Sequence, residues 1–268
     1  MAELWETAIT QIKPNEIRVR GYRIDELMGK MTFSQVIYLL FTGELPGKEV
    51  SDLLDAIFIS SIDHGVTPPS ALAVRNATST GAPLNAAVAS GILCINDFHG
   101  GAIFNAMGEI QSALNQAGTS EQIDAVAKEL VNGWLKGKKR FPGVGHRIHT
   151  DDPRTRKLFE LAETAGVSGD GVCMMKAIAR EFAEQGKPLP INVDGAIAAV
   201  LIDLHIPQDL ANAFFMIARL PGMCAHAYEE KTTQPRMRTI SPAFHVYTGA
   251  ENRTIEESLA IAWDLLAM

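Results

Sequence analysis

Positive charge is in short supply in this sequence: 24 lysines and arginines face 31 aspartates and glutamates, for a net charge of −7. Such a chain offers no general field to a nucleic acid or an acidic membrane surface, so any anionic ligand has to be held by local cations. Cysteine is scarcer still. Cys94, Cys173 and Cys224 stand far apart without C-x-x-C spacing, which argues against a disulfide framework and a zinc ribbon and leaves reduced core residues as the expectation. No segment reaches the roughly 18 unbroken apolar residues of a membrane span, and the first six residues show no basic stretch leading into an apolar one. A cytoplasmic location is therefore expected. Aromatic residues make up only 7% while hydrophobic residues reach 47% and Ala, Leu and Ile recur throughout. That balance favours helices packed on helices over a sheet sandwich.

The one β signal is the short alternation of Ile17, Val19 and Tyr22 around Gly21. Helical spacing follows from Phe33 to Phe41, with Thr32 as a cap and Gly43 and Pro46 as the stop. A second helix starts at Ser51 and ends before Gly65–Pro69, leaving Asp63 and His64 at the break. Between Ser70 and Phe98 the chain is almost continuously small and apolar, which predicts helices apolar all round, covered either by the core or by another subunit. Further helices are predicted over Ala196–Leu204, over Asp209–Ala218 and, as an amphipathic terminus, over Ile255–Met268.

Three segments couple an ionisable residue to sharply turning backbone: Phe98-His99-Gly100-Gly101, Phe141-Pro142-Gly143-Val144-Gly145-His146-Arg147 and Pro190-Ile191-Asn192-Val193-Asp194-Gly195. Paired glycines let a substrate approach the main chain, and Gly-X-Gly offers N–H groups to a phosphate or an adenine edge. Each segment also has a plain structural reading. A single histidine is often just a hydrogen-bonded helix-end residue, and Asp194 is well placed to cap the helix that follows it.

In chain order, the three segments resemble the His-Gly-Gly turn, the Pro-Gly-X-Gly-His loop and the Asn-Val-Asp turn of the citrate synthase superfamily. The resemblance extends to Arg18-Val19-Arg20-Gly21-Tyr22, to Phe33–Pro46, to Asp63-His64, to Asp152-Pro153-Arg154 and to Ala218-Arg219, and so covers essentially the whole chain. It implies a mostly α citrate synthase fold, with a large helical domain over 1–102 and 206–268 and a smaller helical domain inserted over 103–205. It implies His99, His146 and Asp194 as catalytic residues, and His64, Arg154 and Arg219 as contacts for the carboxylates of citrate or oxaloacetate. Guanidinium groups grip carboxylates in bidentate fashion, which suits the two arginines. Coenzyme A would lie on Pro142, Gly143, Val144 and Gly145, with Lys187 on its phosphates; Lys138, Lys139 and Arg140 are further cations nearby. No metal and no permanently bound cofactor is implied, the coenzyme A thioester being substrate.

Within the superfamily, the short chain, the Gly145-His146-Arg147 sequence, Asp63-His64-Gly65 and Asn192–Gly195 followed by Ala-Ile-Ala-Ala-Val resemble the citryl-CoA lyase branch, which includes the lyase portion of ATP-citrate lyase. The implied reaction is cleavage of citryl-CoA to acetyl-CoA and oxaloacetate. Condensation by a citrate or 2-methylcitrate synthase, and a non-catalytic CoA-binding regulatory subunit, are the alternatives. A homodimer or higher homo-oligomer is expected. One departure stands out: where synthases place a substrate-binding arginine of the neighbouring subunit before a proline, this chain has Gln234-Pro235, with Arg236 or Arg238 as the replacement.

Overall fold

The computed structural model describes residues 4–137, 140–145 and 150–255. Strands β1 (Thr10–Lys13), β2 (Glu16–Val19) and β3 (Tyr22–Arg23) form one antiparallel sheet in that order. Its turn at Asn15 takes a left-handed φ of 62°, a conformation asparagine tolerates. Arg20 after β2 reaches back to donate twice to the Leu40 carbonyl, at 3.2 and 2.8 Å, near the end of a later helix. This strap gives the Arg-Gly-Tyr segment a structural purpose.

The other regular elements among the described residues are helical, as the sequence predicts. A short α1 (Ile24–Leu27) precedes α2 (Phe33–Thr42), which opens on a capping box in which Thr32 and Gln35 satisfy each other's backbone N–H groups. Gly43 closes α2 with φ of 87°. Then come α3 (Lys48–Ser60), α4 (Pro69–Ser79) and α5 (Leu84–Leu93), followed by α6 (Ala102–Ala117), α7 (Ile123–Gly137), α8 (Pro153–Thr164), α9 (Asp170–Glu184), α10 (Val193–Asp203) and α11 (Ala211–Thr233). Helices α6 to α10 pack chiefly on one another, while α3, α4 and α5 gather on α11. One hydrophobic core runs through both groups, from Leu53 to Ala227.

Two expectations need correction. The helix predicted over Asp209–Ala218 starts after a 3-10 turn and continues through Pro221 to Thr233. Gly222 lies flat against the end of α3, where a Cβ would stand 2.4 Å from the Ile62 carbonyl oxygen, so packing sustains a helix that Pro-Gly would otherwise end. The cysteines are free but not core residues: Cys173 is exposed and Cys94 and Cys224 are half-buried. The α4–α5 pair, which the sequence left to the core or to another subunit, is covered only in part by its own chain, Leu72, Leu84 and Leu93 being 54%, 57% and 76% exposed. The terminal helix predicted over Ile255–Met268 falls, apart from Ile255, outside the described residues.

Candidate active site

His99 stands on a turn that closes on itself. Asn96 and His99 exchange backbone hydrogen bonds at 2.8 Å in both directions, and Gly101 N–H also donates to the Asn96 carbonyl, so the chain reverses at Asp97-Phe98 before entering α6. Both glycines are required. A Cβ on Gly100, whose φ is +80°, would stand 2.7 Å from Ile95 and Phe215 side-chain atoms, and one on Gly101 would stand 2.8 Å from the Asn96 carbonyl oxygen. The His99 ring meets Phe215 edge-on, and its Nε2 lies 2.8 Å from the Oγ of Ser70, a fully buried residue in the first turn of α4. Burial, then the Arg219 guanidinium and His64, push the His99 imidazole below its ordinary value, so the neutral ring is favoured.

Asp194 is held by a second turn. The side-chain oxygen of Asn192 accepts from Gly195 N–H at 3.1 Å and caps α10, while its amide nitrogen donates to the Gly145 carbonyl at 2.9 Å. Asn192 therefore does the capping that the plain reading gave to Asp194, and Asp194 sits within the first helical turn. Here the Pro142–Gly145 loop crosses the Asn-Val-Asp turn backbone to backbone. Gly145 N–H donates to the Pro190 carbonyl at 2.7 Å and Asn192 N–H to the Gly143 carbonyl at 3.1 Å. A Cβ on Gly195 would be 2.2 Å from the Gly143 oxygen, so the crossing admits only glycine. Phe141 anchors the start of the loop between the rings of Trp134 and Phe182. Burial raises the Asp194 carboxyl above the usual carboxylate range, Asp152 adds to the rise, and Arg154 and Arg219 oppose it.

Both arginines hang on the C-terminal end of α3, where unsatisfied carbonyls favour cations. Arg219 is buried, donates from Nε to the Ser61 carbonyl at 2.8 Å and lies over the Phe215 ring at 4.8 Å. Burial lowers its affinity for the proton, and neighbouring Arg154 pushes the same way while Asp63 and Asp194 oppose. Arg154 donates from Nη1 to the Ser60 carbonyl at 3.4 Å and grips the buried Asp152 with Nε and Nη2, at 3.0 and 2.8 Å. Asp152 also caps α8 by accepting the Arg154 backbone N–H at 3.0 Å, so one carboxylate starts the helix and aims its arginine.

The structure thus couples His99, His64, Arg154, Arg219 and Asp194 electrostatically in one place, from five separate stretches of chain. His146 lies outside the described residues, as do Lys138 and Lys139. His64 is exposed on the loop between α3 and α4. Lys187 is exposed in the turn after α9, three residues before Pro190, whose carbonyl meets the Gly145 loop. Arg236 is exposed on the extended segment beyond α11. Arg238 is already committed within its own chain, its Nε and Nη2 lying 2.6 and 2.7 Å from the Glu230 carboxylate oxygens. Sequence reasoning missed Ser70, Asp152 and Asn192 as site residues. Asp152 and Asn192 were within reach, each lying at a helix cap beside a singled-out residue, whereas nothing local marks Ser70.

The profile of the family described as Citrate synthase, C-terminal domain matches residues 2–52 and 46–242. Citrate synthase of Heyndrickxia coagulans is 28% identical over 232 residues, which make up 85% of this chain and 59% of that protein. The chain thus spans less than two thirds of that curated relative. Citryl-CoA lyase from Hydrogenobacter thermophilus superposes with a TM-score of 0.87 at 38% identity, covering 96% of this chain and all of that one. ATP citrate lyase from Methanothrix soehngenii, solved with citrate and coenzyme A, superposes with a TM-score of 0.83 at 22% identity over 94% of this chain and 42% of that one. With the family profile spanning nearly all of its described residues, this chain belongs to the citrate synthase family.

Proposed function

We propose that the chain is a citryl-CoA lyase, cleaving citryl-CoA to acetyl-CoA and oxaloacetate. The observation that carries this reading is the meeting of a neutral-favouring histidine, a proton-retaining carboxyl and two oriented arginines at the crossing of glycine-built turns. The full-length similarity to a citryl-CoA lyase chain supports the lyase branch.

Retro-aldol cleavage removes the proton of the substrate hydroxyl, turns that carbon into the oxaloacetate carbonyl and sends the electrons of the broken C–C bond onto the thioester as an enolate. In this reading His146 takes the hydroxyl proton. His99 donates a hydrogen bond to the enolate oxygen; donation from Nδ1 would leave Nε2 to accept from the Ser70 hydroxyl 2.8 Å away. Asp194, kept protonated more readily than an ordinary carboxyl, delivers the proton that makes the acetyl methyl group. Arg154, Arg219 and His64 hold the carboxylates. Pro142–Gly145 and Lys187 take the coenzyme, which is substrate rather than resident cofactor.

The same groups serve condensation by microscopic reversibility, and similarity to curated synthases favours citrate or 2-methylcitrate formation as the second reading. A second copy of the chain is proposed to cover the exposed α4–α5 leucines and to receive Arg236 at its carboxylate site, and the division into 1–102 with 206–268 and 103–205 is proposed as the hinge unit. One assay tests the function: pure protein is given citryl-CoA while oxaloacetate and acetyl-CoA are followed. Formation of free CoA and a tricarboxylate from acetyl-CoA or propionyl-CoA plus oxaloacetate, with no cleavage of citryl-CoA into the acyl-CoA, would replace the lyase with a synthase. Inertness in both assays would leave a binding subunit.

A further inference from the structure

Behind the His64 loop lies a line of buried polar groups that the proposed reaction does not use. Asp63 sits at its near end. One of its carboxylate oxygens, Oδ2, accepts from Gly65 N–H at 2.9 Å and so closes a turn around His64; the other, Oδ1, lies 3.0 Å from Nε2 of His226 on α11. On the far side of that ring, Nη1 of Arg75 lies 3.4 Å from Nδ1. A guanidinium only donates, so Nδ1 is the acceptor, and the proton on the ring is the one that Nε2 gives to Asp63. Arg75 is fixed in turn by Glu230, whose Oε2 accepts from its Nε at 2.8 Å, and Glu230 is fixed by Arg238. Every bond in the line has one permitted direction.

Arg75, His226 and Glu230 are all buried. Charged groups taken out of water are costly, and apolar residues of like volume would join α4 to α11 at least as well. The line therefore has to be explained by what it orders. It orders the segment at residues 60–65, which also supplies the Ser60 carbonyl to Arg154 and the Ser61 carbonyl to Arg219. Gly222 allows this: a side chain there would strike the Ile62 carbonyl and Asp63.

We propose that Asp63 and His226, backed by Arg75 and Glu230, are positioning residues that set where His64 is presented to the carboxylate end of the substrate. The proposal rests on the reading of His64 as a carboxylate contact. Asp63 and His226 touch no reacting atom; they act through the loop. At its other end the line continues through Arg238, whose backbone N–H donates to Ser79 Oγ at 3.1 Å, so it also locates the segment bearing Arg236.

The test uses the full chain and two ligands. Oxaloacetate and coenzyme A binding are measured separately by calorimetry for Asp63→Ala and His226→Ala. Oxaloacetate binding is expected to weaken about tenfold or more, with coenzyme A binding held within about twofold, since only the loop has been released. His226→Gln, which keeps a donor near the position of Nε2, should restore most of the loss. In a His64→Ala background, Asp63→Ala should cost clearly less than it does alone, the remainder passing through the Arg154 and Arg219 anchors on the same segment. A full additive loss there, or unchanged oxaloacetate binding in the single variants, overturns the proposal. A ligand-free arm follows the His64 ring signals of 13C-histidine-labelled protein, assigned by their absence in His64→Ala. They should shift or broaden in Asp63→Ala at an unchanged melting temperature, and an unmoved His64 signal overturns the proposal too. Wild-type protein that binds neither ligand would sink the functional reading instead, and the ring signals alone would then decide the positioning role.

Discussion

Helices α5 and α10 are nearly the same helix on paper. Both are ten or eleven residues of small and aliphatic side chains with little polar relief on any face. In the fold they part company. Residues Ala196–Leu201 of α10 are at most 1% exposed, covered by α6, α8 and α9, whereas α5 turns Leu84, Ala86, Ala89 and Leu93 outward. Even the end of α10 is tied in, with Asp203 accepting the backbone N–H groups of Gly169, Gly171 and Val172 at the start of α9. A helix apolar all round has to be covered by something. The chain supplies the cover for α10 and leaves α5 to a second copy, in our reading. Each helix also adjoins one half of the chemistry: the first turn of α10 carries Asp194, and the turn after α5 carries His99.

The strongest test of the buried side is Asp194→Asn. Turnover of citryl-CoA is expected to fall by roughly 10²–10⁴-fold, the usual worth of an acid–base group. Stability should move the other way. The folded chain holds the Asp194 proton at a higher pH than the unfolded chain does, so the carboxylate costs stability as pH rises through that window. The variant should melt above the wild type at pH 8, with the gap closing as pH is lowered. A variant that melts below the wild type at pH 8 would mean that Arg154 and Arg219 repay the burial of the charge in full.

On the other side, His99→Ala is expected to lower turnover by roughly 10²–10³-fold, as when one donor to a developing oxyanion is removed. Burial and Arg219 disfavour the charged ring, so its titration by NMR should fall below the ordinary histidine value of about 6.5. A midpoint at or above that value would show that burial and Arg219 do not tune the ring, and would leave α10 as the sole half with tuned chemistry.

The likeness of α5 and α10 also shows what a sequence conveys. Their helical character was legible because composition and spacing act locally, and the three glycine-rich segments were legible because a turn needing a left-handed or side-chain-free backbone admits few residues. What covers a helix is not local. The Ser70–Phe98 stretch gave two readings that differ only in what lies across from it. The continuation of α11 through Pro221 was hidden for the same reason, since it depends on the end of α3 fitting against Gly222. Ser70 reaches His99 only because α4 and α5 approach closely at Gly91, where a Cβ would stand 2.5 Å from Val74. The Asp152–Arg154 pair, by contrast, lies within three residues and could be read as a unit.

Adding volume sharpens the contrast in packing. Ala199→Leu, in the middle of α10, is expected to cost about 1–3 kcal/mol in urea unfolding, because every direction is occupied. Ala89→Leu on the outward face of α5 should leave the folding of the isolated chain nearly unchanged. Equal losses at low protein concentration would show that α5 is already covered within its own chain.

The smallest effect is expected at Leu93, which is 76% exposed in the single chain. Leu93→Ser removes apolar surface that the folded chain leaves in water, so folding measured at nanomolar concentration should change by no more than about 0.5 kcal/mol. If a second copy covers α5, the cost appears in association, where each protomer loses one buried leucine. Sedimentation at rising concentration should then show the variant dissociating at concentrations where the wild type stays paired, and its melting temperature should depend more steeply on concentration. Should wild type and variant sediment alike as single chains at every concentration, α5 has no covering copy. The difference between the two helices would then have to be sought in a partner of another kind, because a face of Leu84, Ala86, Ala89 and Leu93 gains nothing from water.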